Sequence, residues 1–295
     1  MRYTVVSLIE GVAYVPAQTE LWFLYFLLYS VLGWCCEVVY CSIPAKKFIN
    51  RGFLYGPLCP IYGCGALLGV WLLEPVAAHP LAVFALGLLV MSALEYVTSV
   101  LMEWLFHARW WDYSNHRFHL NGRVCLTNSI LFGLMAVAVI YFIHPLVVWF
   151  IGLLPDGERS CVALVLFTVL VVDITLTVRS LIDFRATLAR FRAAAAEFGE
   201  KWELSAEKWN ERLAEWRAEH PGNPELDEFR QRLRERFAEL PRFEQFSFQR
   251  LLRAFPRMSS KRWAEGLETF KQAAADRLAS LRAERAHKRR DRKKK

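Results

Sequence analysis

The sequence predicts an all-α protein. We expect a polytopic membrane helix bundle of about five spans, N-terminus outside and C-terminus inside, followed by a cytoplasmic, partly coiled-coil-like helical tail. Three observations carry this expectation. The chain is 55% hydrophobic, and long apolar runs recur through its first 180 positions. Charge is unevenly spread: residues 1–178 hold 8 Lys+Arg and 10 Asp+Glu, and the remainder holds 29 and 19. Past that point, apolar residues repeat at three- and four-residue spacings, as on one face of a helix. The net charge of +8 is therefore a property of the tail. The chain divides into an N-terminal segment (1–20), a transmembrane domain (21–180) and a cytoplasmic helical tail (181–295) ending in a polybasic run.

The first span is read at Leu21–Tyr40, with Glu37 near its C-terminal end. About twenty mostly apolar residues suffice to cross the hydrocarbon. A loop at 41–56 carries Lys46, Lys47 and Arg51. The second span, Pro57–Leu73, is short and rich in glycine, and the turn after it (74–80) has no Lys or Arg. The third span, Leu81–Phe106, carries Glu95 and Glu103. A second large loop at 107–128 holds Arg109, Arg117 and Arg123, three histidines and the pair Trp110-Trp111. The fourth span is Ser129–Leu154. After the turn Pro155–Arg159 comes the fifth, Val162–Val178, which contains Asp173 and is closed by Arg179. Orientation follows from Lys and Arg. Each of the loops after the first and third spans has three, the tail has many, and the opposite side has only Arg2 and Arg159. Mildly apolar residues open the chain, but Glu10 interrupts them and no clean cleavage site precedes Leu21, so no secretory signal is expected.

Between the first two spans, Asn50–Gly63 carries three glycines and two prolines and is not expected to be one plain helix. Irregular backbone at membrane depth survives only where protein buries it or where it lines a watery cavity. One reading is therefore the wall of a polar cavity; the other is a compact re-entrant turn.

In the tail, Leu181, Phe184, Leu188, Phe191, Ala195, Phe198, Trp202, Trp209, Leu213 and Trp216 form the stripe, and Pro221–Pro224 breaks it. Shorter helices are expected to follow, ended near Pro241 and Pro256. The stripe fits self-association, packing on the other tail helices, or a helix lying on the inner leaflet; abundant glutamates disfavour the last. The terminal basic run fits a solvated tail held near anionic lipid. No aromatic or glycine motif supports nucleic-acid binding.

Seven cysteines occur, mostly in or beside apolar segments, and Cys59 and Cys64 lack partners at a zinc-like spacing. His107, His116 and His119 have no regular spacing either, so no metal and no cofactor are expected. Asp112 and Ser114 lie near these histidines, but closeness in sequence is no evidence of triad geometry. Phe106, Trp110 and Trp111 are expected at headgroup level as interfacial anchors.

Glu37, Glu95, Glu103 and Asp173 are acidic groups on apolar segments. Each would cost a few kcal/mol if it faced lipid at mid-bilayer, roughly 2.5–3.5 on insertion scales, so each should face inward. Glu95, the deepest, shares a broad helix face with Ser99 and Glu103. The candidate binding set is Glu37, Asn50, Arg51, Glu95, Glu103, Arg109, Asp112, Asn121 and Arg123. Its carboxylates suit a cation, proton or amine, and its arginines suit anionic groups or balance the carboxylates. The same residues also suit a static ion-pair network tying loops to helices.

Several of these motifs occur in order in one bacterial family. Asn50-Arg51-Gly52-Phe53-Leu54-Tyr55-Gly56-Pro57, then Cys59-Pro60-Ile61-Tyr62-Gly63, Leu94-Glu95-Tyr96, His107-Ala108-Arg109-Trp110-Trp111-Asp112-Tyr113-Ser114 and Leu120-Asn121-Gly122-Arg123-Val124-Cys125-Leu126 carry the resemblance, with Gly33-Trp34 and Glu37 in the first span. Over residues 20–180 the chain resembles the putative ABC-transporter type IV, or CmpB-like, family. Thr127 departs from the acidic residue expected before Asn128. The resemblance implies a multi-span inner-membrane permease component, and it does not extend to the tail. No G-x-x-x-x-G-K-[ST] loop is present, so ATP hydrolysis would require a separate ATPase subunit and this chain is not expected to be an enzyme. Two alternatives stand beside the permease: a membrane scaffold or regulator acting through its tail, and an integral-membrane enzyme acting on a lipid-linked substrate.

Overall fold

The computed structural model describes residues 17–46, 48–106, 108–201 and 224–255, with positions 258, 259, 267, 270, 271, 274 and 275. The N-terminal residues 1–16, His107, the Trp202–Trp216 part of the stripe, the Pro221–Asn223 break and the terminal basic run lie outside the described residues.

The chain is mostly helical. Helix α1 is Ala17–Ala45, and α2 is Pro60–Leu73, continued by a 3-10 turn at Glu74–Val76. Helix α3 is Pro80–Phe106. Helix α4 (Leu126–Ala138) passes through a wide π turn at Val139–Ile143 into α5, His144–Gly152. Helix α6 is Asp156–Lys201, α7 is Pro224–Glu239 and α8 is Arg242–Ala254. Four helical stretches are long and apolar enough to cross a membrane: Gln18–Ile43, Pro80–Phe106, Leu126–Gly152 and Asp156–Ala193. The fifth apolar stretch, Pro60–Val76, is shorter. Their outward side chains are apolar, including Leu81, Trp104, Phe142, Leu164 and Phe167.

Two expectations about the 107–128 stretch are corrected. Within the loop at 107–128, His119–Leu120 and Val124–Cys125 form a short two-stranded antiparallel hairpin, a local feature of an otherwise all-α fold. Asn121 and Gly122, both at positive φ (54° and 70°), supply the reversal. Leu126–Asn128 already belong to α4 rather than to the loop. Helix α6 runs on without a break past Arg179, through the 180/181 boundary. The residues after Arg179 are good helix formers, so the change in polarity there does not interrupt the backbone. Trp110 is no interfacial anchor. It is 3% exposed and lies between the rings of Phe106 and Phe255, at 6.0 and 5.0 Å.

The chain forms two compact units. One comprises the residues up to Thr98 with Tyr113–Thr177; the other comprises Ser99–Asp112 with the residues from Val178 onward. In the first unit, α1 and α2 pack almost backbone to backbone. A Cβ on Gly33 would collide with the Tyr62 side chain, and one on Gly63 would meet the Ser30 hydroxyl and, at 2.6 Å, the Phe26 carbonyl oxygen. Such close approach by small residues is how helices gain contact where no hydrophobic driving force exists. Apolar clusters around Leu24, Tyr29, Val147, Ile151 and Ala163, and around Leu73, Val83 and Ala136, join the remaining helices of this unit.

The second unit has an aromatic core. Phe184 and Phe191 from α6, Phe237 of α7 and Phe248 of α8 all meet Phe270, with ring centroids 5.0–5.8 Å apart. Leu181, Phe184, Leu188 and Phe191, the first four members of the predicted stripe, are thus buried inside the unit. The Arg109 and Ser259 backbones exchange hydrogen bonds in both directions, at 2.7 and 2.9 Å.

Candidate functional site: a carboxylate–tyrosine centre in the membrane unit

The site begins with the close crossing of α1 and α2. Because Gly33 has no side chain, Tyr62 lies against α1 and its hydroxyl reaches Glu37, one turn beyond Gly33, donating to Oε1 at 2.7 Å. Arg51, from the irregular segment before α2, places Nε 3.6 Å from the other oxygen of Glu37. The Cys59 thiol donates to the Arg51 carbonyl at 3.3 Å, tying that segment to the start of α2. Asn50 accepts a hydrogen bond from Trp34 Nε1 at 2.8 Å. It orients the loop and does not contact Glu37.

The irregular segment is held from the far side by Asp173 of α6. The backbone N–H groups of Tyr55 and Gly56 donate to its two oxygens, both at 2.7 Å, and the Thr177 hydroxyl donates to Oδ1 at 3.3 Å. A Cβ on Gly56 would sit 2.9 Å from Asp173 Oδ2, so glycine is what lets the carboxylate approach. Helix α2 then starts at Pro60, where proline needs no donor. The stretch Asn50–Gly63 is therefore an irregular loop folded around one intramembrane carboxylate, followed by a helix.

Glu95, on α3, is 8% exposed. Its Oε1 accepts from the Tyr113 hydroxyl at 3.1 Å, and its Oε2 is buried with no hydrogen-bond partner among the described residues. Tyr113 is fixed by its own backbone, whose N–H donates to the Gly122 carbonyl of the hairpin at 2.8 Å. Burial, then the Glu95 carboxylate and then Glu37 push the Tyr113 hydroxyl well above its ordinary pKa. It stays a neutral donor at any physiological pH, and both carboxylates lie close enough to act on it.

The hairpin packs beside this centre on Tyr96. The Asn121 side-chain amide donates to the Tyr96 hydroxyl at 3.0 Å, and the Arg123 guanidinium lies 5.8 Å from the Tyr96 ring centroid. Asn121→Ala is expected to cost about 1–2 kcal/mol, because alanine is strained at positive φ and the bond is lost. Asn121→Gly keeps the turn and should cost less than half of that, read by thermal unfolding in detergent. His119, considered for metal or proton chemistry, accepts the Gly122 N–H at Nδ1 and braces the turn.

Of the nine predicted site residues, Glu37, Arg51 and Glu95 belong to this centre, and Asn50, Asn121 and Arg123 support it. Glu103, Arg109 and Asp112 fall in the second unit, where Arg109 Nε pairs with Glu103 at 3.1 Å. Tyr62 and Tyr113, the two donors that orient the carboxylates, were absent from the predicted set. Both stand inside motifs read from the sequence, but a tyrosine in an apolar helix or an aromatic loop reads as packing until its hydroxyl is located.

Residues 24–178 match a family described as Putative ABC-transporter type IV. The chain belongs to this family. The match covers more than half the chain and takes in every residue of the centre. Comparisons with curated proteins and with solved structures give no match. Family membership and the four long apolar helices together make this a multi-pass, transporter-like membrane protein.

Proposed function

We propose that the chain is a permease-like component of the cytoplasmic membrane whose working centre is Glu37, Arg51, Tyr62, Glu95 and Tyr113. The observation that carries this reading is the Glu95 carboxylate. One oxygen is engaged by Tyr113 and the other is buried without a described partner, which is costly unless a proton, a cation or an amine occupies it for part of the cycle. Two phenol donors hold the carboxylates in place, and Arg51 offsets one negative charge, so the centre can gain or lose a single positive charge without rearranging. In this reading Pro60–Val76 is the fifth span. The N-terminus lies outside and the tail lies in the cytoplasm, in keeping with the distribution of Lys and Arg. Any ATP hydrolysis that drives it would come from a separate ATPase subunit, because the sequence has no phosphate-binding loop.

The test is flux in vesicles reconstituted with the full chain, using a pH-sensitive dye, inorganic cations and simple primary amines as probes. Glu95→Gln, nearly isosteric, should lower flux of the transported probe about 10-fold or more, and Tyr113→Phe should lower it less. Unchanged flux of every probe in Glu95→Gln sinks the assignment.

A second reading has an observation of its own. The two-way backbone pairing of Arg109 with Ser259, and Trp110 against Phe255, make the loop motif part of the tail's own unit, as a scaffold or regulator would need. That reading expects removal of the residues after Arg179 to abolish activity while Glu95→Gln lowers only stability. Self-association through the tail and attraction of its basic end to anionic lipid belong to the same proposal.

A further inference from the structure

The membrane unit contains a second polar pair that the centre above does not use. Tyr29 is 3% exposed and lies near the middle of α1, two turns before Glu37 and roughly 12 Å from it along the axis. Its hydroxyl oxygen is 2.6 Å from Nδ1 of His144, the first residue of α5. The two rings stack at 6.4 Å and 29°, and Tyr25 meets the imidazole edge-on at 5.9 Å. His144 is half-buried, and no described residue offers a hydrogen-bond partner to its Nε2.

The backbone before it is unusual. The π turn at Val139–Ile143 inserts one extra residue into what would otherwise be a continuous helix from Leu126 to Gly152. Wide turns are less stable than α-helix and occur mostly at functional sites. Here the turn carries Tyr141, whose hydroxyl donates to the Ala77 carbonyl at 2.6 Å, and it rotates α5 so that His144 faces α1. Apolar packing alone, supplied in the same cluster by Leu24, Val147 and Ile151, requires no such insertion.

An ionisable side chain inside an apolar span is costly and is ordinarily retained for ion or proton traffic. The titratable groups facing this imidazole are Tyr25 and Tyr29 from α1 and the Glu74 carboxylate from the turn after α2. We infer that His144 and Tyr29 form a proton-binding site in the membrane unit, separate from the Glu37–Glu95 centre. In the neutral state Tyr29 donates its O–H to Nδ1, and Nε2 carries the ring hydrogen. On uptake of one proton both ring nitrogens carry hydrogen, so Nδ1–H donates to the Tyr29 oxygen and the Tyr29 O–H turns to another acceptor. No covalent bond other than N–H is made, and Tyr29 reports the charge of the ring to α1. This inference rests on the chain spanning a membrane and not on the role of Glu95.

The experiment is a pH titration of the full chain, labelled with ¹⁵N in its histidine rings and reconstituted in phosphatidylethanolamine–phosphatidylglycerol vesicles, read by solid-state NMR. His144→Gln should delete one ring signal and thereby assign it. Should that variant fail to fold, magnetisation transfer from the Tyr29 ring assigns the same signal in the wild type. The His144 signal is expected to pass from neutral to charged between about pH 5 and pH 8, with a midpoint moved by about half a pH unit or more in Tyr29→Phe. A His144 ring that keeps one charge state throughout, or a midpoint indifferent to Tyr29→Phe, overturns the inference. Neither result bears on flux in Glu95→Gln, so the two proposals fail separately.

Discussion

Asp173→Ala is expected to destabilise the membrane unit by about 3 kcal/mol and to free the segment before α2. The carboxylate receives two backbone N–H groups from the loop and one hydroxyl from its own helix. Each buried donor left unsatisfied costs about 1–3 kcal/mol, and bonds to a carboxylate lie in the upper part of the range. The loop is tied elsewhere by single contacts, among them the Cys59 N–H to the Ser30 carbonyl at 3.0 Å, the Cys59 thiol to the Arg51 carbonyl and Trp34 Nε1 to Asn50. Asp173→Asn keeps the volume and one acceptor oxygen, so it should cost about half as much. The check is thermal unfolding in detergent combined with limited proteolysis. Cleavage within residues 50–58 should rise steeply in Asp173→Ala and modestly in Asp173→Asn. Equal resistance in all three proteins would mean that the carboxylate does not hold the loop. Because Arg51 stands in the same segment, 3.6 Å from Glu37, loss of this anchor should also reduce transport even though Asp173 touches nothing in the centre.

Gly63→Ala should be similarly costly, at about 2–4 kcal/mol, for a steric reason. The added methyl would fall on the Ser30 hydroxyl and within 2.6 Å of the Phe26 carbonyl oxygen. The hydroxyl can rotate away; the carbonyl belongs to the α1 backbone and cannot move without separating the helices. Overpacking a tight site costs about 1–3 kcal/mol and sometimes more. Separation of α1 from α2 would also pull the Tyr62 hydroxyl off Glu37, so flux should fall together with stability. The internal control is Gly152→Ala. A Cβ there meets nothing within 4 Å, so this change should be neutral or stabilising by up to about 1 kcal/mol. If Gly63→Ala behaves like Gly152→Ala, the close crossing of α1 and α2 is not what positions Tyr62.

The membrane class, the apolar stretches and the place where regular helix must fail are all legible in the order of the residues. Each of these is a one-dimensional property. The length of an apolar run is set by the thickness of hydrocarbon, and proline and glycine change the backbone wherever the chain goes. The sequence also picked out Glu37, Arg51 and Glu95, because charge at membrane depth is conspicuous in any arrangement. What it could not convey is which partner each charge meets. Asp173 lies more than a hundred residues from the N–H groups it accepts, and Tyr29 is as far from His144. Trp110, read locally as an anchor, is buried because Phe255 covers it.

The tertiary structure decided these pairings, and it divided the nine predicted residues between two units by placing Ser99–Asp112 with the tail. It also decided which hydroxyls count. Tyr62 and Tyr113 become the donors that orient two carboxylates only because Gly33 lets one helix close on another and a hairpin turn at Asn121-Gly122 fixes the loop. A hydrogen bond is a matter of about 3 Å in space, and sequence spacing records that distance only inside a single helix or strand.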